Sequence, residues 1–379
     1  MTPRRQPALA ALVADVAAEL GQRSPQRVWL AAGPTARLVT FPARRPHLYL
    51  GHPYVRCLSG PELRTVVAHE LAHVPVGVPH LARRVLEPRM GQAERFAGLR
   101  PAEARPLANA VKLAADATVT RLVGVDLAGR ALARSHLLGE AFGWFMSTCV
   151  VPMLRAGLYP IDLYDGWEEK LAQPSFAAEM GSRVLGLLAD EAGELAAGRL
   201  LAPSSLPVPL VPLDPAVKDR LVRALLGVGR FRGPRGVTFA DPVVLDAYDA
   251  DLAQAYDALR TAAREVLGQP EMTDGDIHGL VLGPRRRELH RALDAVEPDR
   301  VDPVAVLTLL YSSRLRRAGY RYESALLRDV LRPPDGGEPI DVAALARVVA
   351  ADPADEAARV DAVALLNLGQ DPAPVRAPT

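Results

Sequence analysis

The chain has 379 residues, of which 49% are hydrophobic and 23% charged, and its formal net charge is +1. This length is typical of two or three globular domains with a substantial buried core. The near-neutral charge indicates neither nucleic acid nor an anionic membrane surface as a partner. The two cysteines, Cys57 and Cys149, form no metal-binding pattern, which fits a reducing, cytoplasmic compartment.

The N-terminal segment combines an amphipathic helix with short β-prone runs. Apolar residues recur at helical spacing over residues 8–21, and Asp15 and Glu19 interrupt the apolar run, so a helix is a better interpretation than a signal peptide. Three β-prone runs separated by glycine and proline follow, at 28–30, 38–41 and 47–50. These runs predict a small antiparallel sheet.

A further helix is predicted to begin at Ser59. Ser59 and Glu62 have the spacing of a capping box, and Pro61 falls in the first turn. Apolar residues at helical spacing then continue as far as Val74, and Pro75 is expected to end the helix.

The remainder of the chain is predicted to be mostly helical. Helices are expected at about 104–123, 126–150, 175–197, 215–227, 241–267, 284–295, 303–317, 340–351 and 354–368. A proline-rich stretch, 201–215, divides an α+β domain (1–200) from a helical C-terminal region (215–370), and 371–379 is predicted to be a disordered tail. The uncharged stretch 141–154 is too short to span a bilayer, so no membrane span is predicted.

One motif in the predicted Ser59 helix indicates chemistry. His69-Glu70-Leu71-Ala72-His73 is an HExxH sequence, and positions i and i+4 share a helix face, so both imidazoles can bind one metal ion. Neutral imidazole suits Zn²⁺ with one coordination position left open. Glu70 is then placed to take a proton from a zinc-activated water and pass it to the leaving amine. The sequence predicts a zincin-like domain that hydrolyses peptide bonds, with a peptide or protein as substrate.

A catalytic zinc needs a third protein ligand, which the sequence does not fix. Asp116 on the following helix is the preferred candidate, because a second helix crossing the first commonly completes such a site. His80 is the alternative, and Glu94 and Glu103 are weaker ones. Asp116 could instead hold a ligand histidine in place without touching the metal.

The region from about Val28 to Phe145 resembles the zinc metallopeptidase family that includes the HtpX-like heat-shock proteases and the CAAX prenyl proteases, which are HExxH gluzincins. It is most similar to soluble actinobacterial members. The resemblance runs through residues 28–30, 48–51, 59–63 and 66–68 into the HExxH, and resumes at 115–117 and 121–124. Residues 307–345 are loosely similar to the C-terminal part of those actinobacterial proteins.

At one position the sequence differs from the motif of the resembled family. The family's second motif is E-x-x-A-D, whose glutamate is the third zinc ligand, and here Ala115-Asp116 follows Lys112 in the glutamate position. An ammonium group repels a metal cation. Two predictions therefore stay open: an active zinc peptidase with Lys112 turned to solvent, or an inactive interaction protein in which Lys112 replaces the metal's charge.

Peptidases of this kind commonly bind an extended substrate by strand addition to a sheet edge beside the HExxH helix. The run from His47 to Gly51 precedes that helix in the chain, so it is predicted to be this edge.

Overall fold

The structure of the chain is a computed structural model. It describes residues 6–41, 44–73, 101–173, 211–228, 233–294 and 303–351, together with Phe176, Met180, Val208, Pro209, Ala362 and Ala364. The chain forms two compact units, one of residues 1–146 and 161–233 and one of residues 147–160 and 234–379. The domain limits predicted from the sequence, 1–200 and 215–370, stay predictions, and the predicted tail lies outside the described residues.

The first unit combines helices with a three-stranded sheet. Its elements are α1 (Pro7–Glu19), β1 (Arg27–Ala31), β2 (Ala36–Phe41), β3 (Arg44–Gly51), α2 (His52–Cys57), α3 (Gly60–Ala72), α4 (Pro101–Val123), α5 (Val125–Phe145), α7 (Leu163–Leu171) and α8 (Pro215–Leu226). The described residues are thus α+β and mostly helical, which confirms the predicted fold class at this coarse level.

The sheet differs from its prediction in two ways. The strand order is β1-β3-β2, with β3 parallel to β1 and antiparallel to β2, so the predicted antiparallel sheet is in fact mixed. β3 is paired on both sides, so the prediction that His47–Gly51 forms the sheet edge is wrong. Leu48 and Leu50 of this central strand are fully buried and contribute to the core of the first unit.

The HExxH motif lies in the last turns of α3, and the start of α3 is fixed as predicted. The Ser59 hydroxyl accepts from the Glu62 backbone N–H, and the Glu62 carboxylate accepts from the Ser59 N–H, which completes a capping box. Both Glu62 oxygens also accept from Arg134 of α5, at 3.0 and 2.9 Å. Arg134 donates in addition to the carbonyl of Cys57, so this buried ion pair ties α3 to α5 and to the end of α2.

The apolar side of α3 faces the core of the first unit. Leu63, Val67 and Ala68 are fully buried, and α3 packs against α1, α4, α5 and β2. Each buried aliphatic side chain of this size contributes about 1.5–3 kcal/mol relative to an exposed one. The end of α3 that carries His69 and His73 is therefore set on a rigid, well-packed element.

The second unit is also mostly helical. After a π-helical turn (Met146–Val150), its elements are α6 (Val151–Arg155), β4 (Leu158–Pro160), β5 (Arg235–Val237), α9 (Val243–Leu267), α10 (Asp274–Leu282), α11 (Arg286–Asp294), α12 (Pro303–Arg317), β6 (Arg321–Tyr322), β7 (Val330–Arg332), β8 (Ile340–Asp341) and α13 (Val342–Ala351). The strands form a parallel pair, β4 with β5, and an antiparallel sheet of order β6-β7-β8.

Most predicted helices within the described residues are confirmed. Predicted helices at 8–21, 104–123, 126–150, 215–227, 241–267, 284–295, 303–317 and 340–351 each coincide with a helix, although residues 146–150 are π-helical and residues 340–341 form β8. Apart from a few residues, the predicted helices at 175–197 and 354–368 lie outside the described ranges. The short helices α2, α6, α7 and α10, each of nine residues or fewer, were not predicted.

One helical stretch, Val125–Arg155, is long and apolar enough to cross a membrane, and half of its most apolar window is buried. A core helix passes the same test, so this stretch is a weak indication, and the predicted absence of a membrane span stays a prediction.

Candidate metal centre

The two histidines of the motif converge at the end of α3. The Nε2 atoms of His69 and His73 lie 3.0 Å apart, and their ring planes are nearly perpendicular, at 88°. Two imidazole nitrogens that bind one tetrahedral zinc at about 2.0–2.1 Å are about 3.3 Å apart. The two imidazoles therefore need only a small adjustment to share one ion.

The protonation state of this pair also suits a metal. Burial, the neighbouring His69 and Lys112 together lower the pKa of His73 to about 4, with burial as the largest cause, and Asp116 opposes the shift. Burial likewise lowers the pKa of His69, against the opposing charge of Asp116. Both rings are therefore neutral at pH 7, and neutral imidazole is the form that binds zinc.

Asp116 of α4 lies at the other nitrogen of His69. Its Oδ1 is 3.1 Å from His69 Nδ1, and within the described ranges neither atom makes a well-angled hydrogen bond. The cluster of ligand atoms that could hold a metal comprises His69, Glu70 and His73 and does not include Asp116. This position favours the role of holding His69 in orientation, which the sequence left open, and ligation by Asp116 stays a prediction.

Glu70, between the two histidines in sequence, is directed at the sheet. Its Oε2 accepts from the backbone N–H of Leu38 in β2, at 3.2 Å. Burial raises the pKa of Glu70 to about 7, while the Leu38 hydrogen bond and the charge of Arg37 oppose the rise. A carboxyl group with a pKa near neutrality can both take up and release a proton at physiological pH, as a general acid and base must.

Lys112, which stands where the resembled family has its glutamate, is exposed. It has no hydrogen bond or ion pair with any other residue that the structure describes, although it is close enough to His69 and His73 to lower their pKa values. Its ammonium group therefore does not pair with Glu70 or Asp116 here, and its charge is left to solvent.

The third zinc ligand is not found among the described residues. The cluster of His69, Glu70 and His73 offers two imidazoles and a carboxylate, and these neutral imidazoles fit the donor preference of Zn²⁺. The other predicted candidates, His80 and Glu94, lie outside the described ranges, and only the helical backbone of Glu103 is described.

Two site features were missed by sequence reasoning, namely the Leu38 N–H and the nearby Arg37. The alternation of residues 36–41 does predict a strand, but it does not reveal which strand borders α3. That information resides in the strand order β1-β3-β2, which leaves β2 at an edge of the sheet.

Comparison with protein-family models, with curated proteins and with solved structures gives no match for this chain.

Proposed function

We propose that this chain is a zinc-dependent metallopeptidase whose centre is formed by His69, Glu70 and His73. The observation that supports this most strongly is the pair of neutral imidazoles with Nε2 atoms 3.0 Å apart, next to a carboxylate whose pKa is raised to about 7. Two ligand nitrogens and a proton carrier are the parts that a hydrolytic zinc site requires from its HExxH helix.

Zinc, when bound, would supply Lewis acidity and lower the pKa of a water molecule at its open position. His69 and His73 would hold the ion through their Nε2 atoms, and Asp116 would keep the His69 ring in orientation from the Nδ1 side. Glu70 takes up the proton released as water attacks the peptide carbonyl and delivers it to the leaving nitrogen. The Leu38 N–H holds Glu70 Oε2, so that the carboxylate keeps one orientation during this transfer.

The substrate is proposed to bind along β2. Among the described strands β2 pairs only with β3, and the Leu38 N–H points away from β3 to Glu70. The outer edge of β2 therefore borders Glu70, and an extended peptide added to this edge would bring its backbone alongside the two histidines. This edge replaces β3, which the sequence suggested for the same role.

The test combines metal analysis with cleavage. The purified full-length chain is expected to contain about one zinc per molecule by mass spectrometry and to cleave peptides from a degenerate peptide pool. Glu70→Gln is expected to retain the zinc and lose cleavage, because Glu70 moves protons and is not a ligand. A wild-type protein without zinc, or a Glu70→Gln variant as active as wild type, contradicts the proposal.

One observation favours the second candidate, an interaction protein that has kept the fold and lost the metal. No ligand atom beyond those of His69, Glu70 and His73 joins the cluster among the described residues. Against this candidate stands Lys112, which is exposed and does not occupy the space between the imidazoles. Absence of zinc together with retained folding would favour the interaction protein.

A further inference from the structure

Two positive side chains lie on α4 and β2, two elements that pack against the HExxH helix. Lys112 lies one helical turn before Asp116 on α4, and Asp116 contacts His69. Arg37 is the residue before Leu38 on β2, and the Leu38 N–H contacts Glu70. Each of these elements thus carries a cationic side chain within one helical turn, or one strand position, of a residue in contact with the HExxH motif.

The side chain of Arg37 lies on a defined face of the sheet. Arg37 is opposite Tyr49 of β3 in the antiparallel pairing, whereas Leu38 is opposite the buried Leu48. Side chains alternate between faces along a strand, so Arg37 lies on the face away from the core. The side chains of a peptide added to the outer edge of β2 would alternate in the same way, and every second one would lie near Arg37.

The surrounding sequence strengthens this positive charge. Between Glu19 and Glu62 the chain contains no aspartate or glutamate, and it contains six arginines, at positions 23, 27, 37, 44, 45 and 56. The chain as a whole is nearly balanced, with 45 lysines and arginines and 44 aspartates and glutamates. The segment that supplies the whole sheet is therefore rich in positive charge, of which that of Arg56 in α2 is offset by Glu168 of α7. Net positive charge attracts anionic ligands.

Neither of the negative groups within the site forms an ion pair with Lys112. Asp116 is 3.1 Å from His69 Nδ1 and is directed at that ring. Glu70 is turned toward the sheet, where its Oε2 accepts from the Leu38 N–H. Lys112 has no ion-pair partner among the residues that the structure describes, and its exposure leaves it accessible to a ligand.

We propose that the substrate is a peptide that carries a carboxylate within a few residues of the scissile bond, bound by Lys112 on α4 and by Arg37 on β2. This inference rests on the proposed peptidase function and names its substrate class. It also gives Lys112 a role that an exposed ammonium group can fill, in place of the zinc-ligating role of the family's glutamate. The carboxylate could belong to an acidic side chain or to the peptide's C-terminus.

The experiment compares matched peptides on the full-length protein. In one arm, a single Glu is moved through an end-blocked neutral peptide, and each peptide is paired with its Gln counterpart. In the other arm, a neutral peptide carries either a free C-terminal carboxylate or a C-terminal amide. Cleavage is measured as kcat/KM on the wild type, and binding is measured by fluorescence anisotropy on Glu70→Gln, which reports affinity without turnover.

The acidic member of at least one pair is expected to be favoured about fivefold or more. Each exposed charge pair contributes about two- to fivefold, so Lys112→Gln and Arg37→Gln should each reduce the preference by about that factor. Lys112→Arg should retain the preference, because it keeps the charge. The preference should shrink as salt is raised from about 0.05 to about 0.5 M, since salt screens exposed charges.

Arg121→Gln is the matched control, because Arg121 is an exposed arginine on the same helix that donates to the helix's own carbonyl at Ala117. Nine residues separate it from Lys112, which is about 13 Å along the helix axis. This control should leave the preference unchanged.

The outcomes separate the two proposals. Zinc together with cleavage but equal rates for acidic and neutral peptides would overturn the substrate class and leave the peptidase proposal standing. An acidic preference that Arg121→Gln reduces as much as Lys112→Gln does would also overturn it, since the effect would then come from overall charge. Absence of zinc and of all cleavage refutes the peptidase proposal itself, and the substrate class falls with it.

Discussion

The role of Asp116 can be decided by substitution, because its two possible roles respond differently to the same changes. Asp116 Oδ1 is 3.1 Å from His69 Nδ1, on the nitrogen that does not face His73. A carboxylate in this position fixes the tautomer that places the proton on Nδ1, leaves the Nε2 lone pair for the metal, and increases the basicity of the ring. Asp116→Ala removes all three effects without removing a ligand atom from the cluster.

The expected loss of zinc affinity in Asp116→Ala follows from the contact of Asp116 with His69 rather than with the metal. Loss of a partner that orients a metal-ligating histidine typically costs about 10- to 100-fold in metal affinity, which corresponds to about 1.4–2.7 kcal/mol. Asp116→Asn should cost less than Asp116→Ala, because the amide oxygen can still accept from Nδ1–H, although without the full charge. If Asp116 were the third zinc ligand, Asn would perform as poorly as Ala, since a neutral amide is a weak zinc ligand.

The assay is a competition titration of zinc against a chromophoric chelator, performed at one pH on wild type, Asp116→Ala, Asp116→Asn and the exposed surface control Asp126→Ala. A graded loss, with Asn between wild type and Ala, supports the positioning role. Equal and severe losses for Asn and Ala refute it and support ligation. An unchanged dissociation constant in Asp116→Ala would falsify both roles and direct attention to His80.

Three further predictions concern residues around the site. His52 is buried, and burial together with the charges of Arg56 and Lys218 lowers its pKa to about 4 from 6.5, so the unfolded state binds the extra proton first as pH falls. Stability should therefore decrease between about pH 6.5 and 4 by on the order of 3 kcal/mol from this residue, and denaturant unfolding of His52→Asn should show a smaller decrease over that window. Arg134→Met leaves the buried Glu62 carboxylate without its ion-pair partner and should lower the free energy of unfolding by about 3–5 kcal/mol, whereas the exposed Arg130→Met should change it by less than about 0.5 kcal/mol. Lys112→Glu should tighten zinc binding several-fold more than Lys112→Gln does. Both variants remove the positive charge, but only Lys112→Glu adds the carboxylate ligand that the resembled family uses. Equal zinc affinities in the two variants would count against a location of Lys112 near the metal.

The features that sequence reasoning predicted correctly are those encoded by local patterns. The start of α3 follows from the Ser59-x-x-Glu62 capping box, and the shared face of His69 and His73 follows from helical spacing. Both depend on residues within four positions of each other, where backbone geometry leaves few alternatives. The long helices were predicted for the same reason, since an apolar period persists over several turns.

The features that were missed depend on contacts between residues far apart in the chain. Parallel and antiparallel pairing produce the same alternation in a short strand, so β1 could not be oriented from its sequence. The Arg134–Glu62 ion pair joins residues 72 positions apart, and no local sequence pattern indicates that either side chain is buried. The Leu38–Glu70 hydrogen bond is even harder to predict from sequence. Every residue except proline has a backbone N–H, so nothing in the sequence distinguishes Leu38 as the donor to Glu70.

The contrast between local patterns and distant contacts also explains why the sequence allows two opposed interpretations of Lys112. As a sequence feature it stands where the resembled family has a zinc-ligating glutamate, and an ammonium group near a metal is costly unless solvent can reach it. The exposure of Lys112 relieves that cost, because water screens its charge from His69 and His73. Beside the proposed hydrolytic centre, an exposed cation would leave the metal position open and would be accessible to an anion. On the proposed function, the residue that counts most strongly against activity in the sequence is therefore the one proposed to select the substrate.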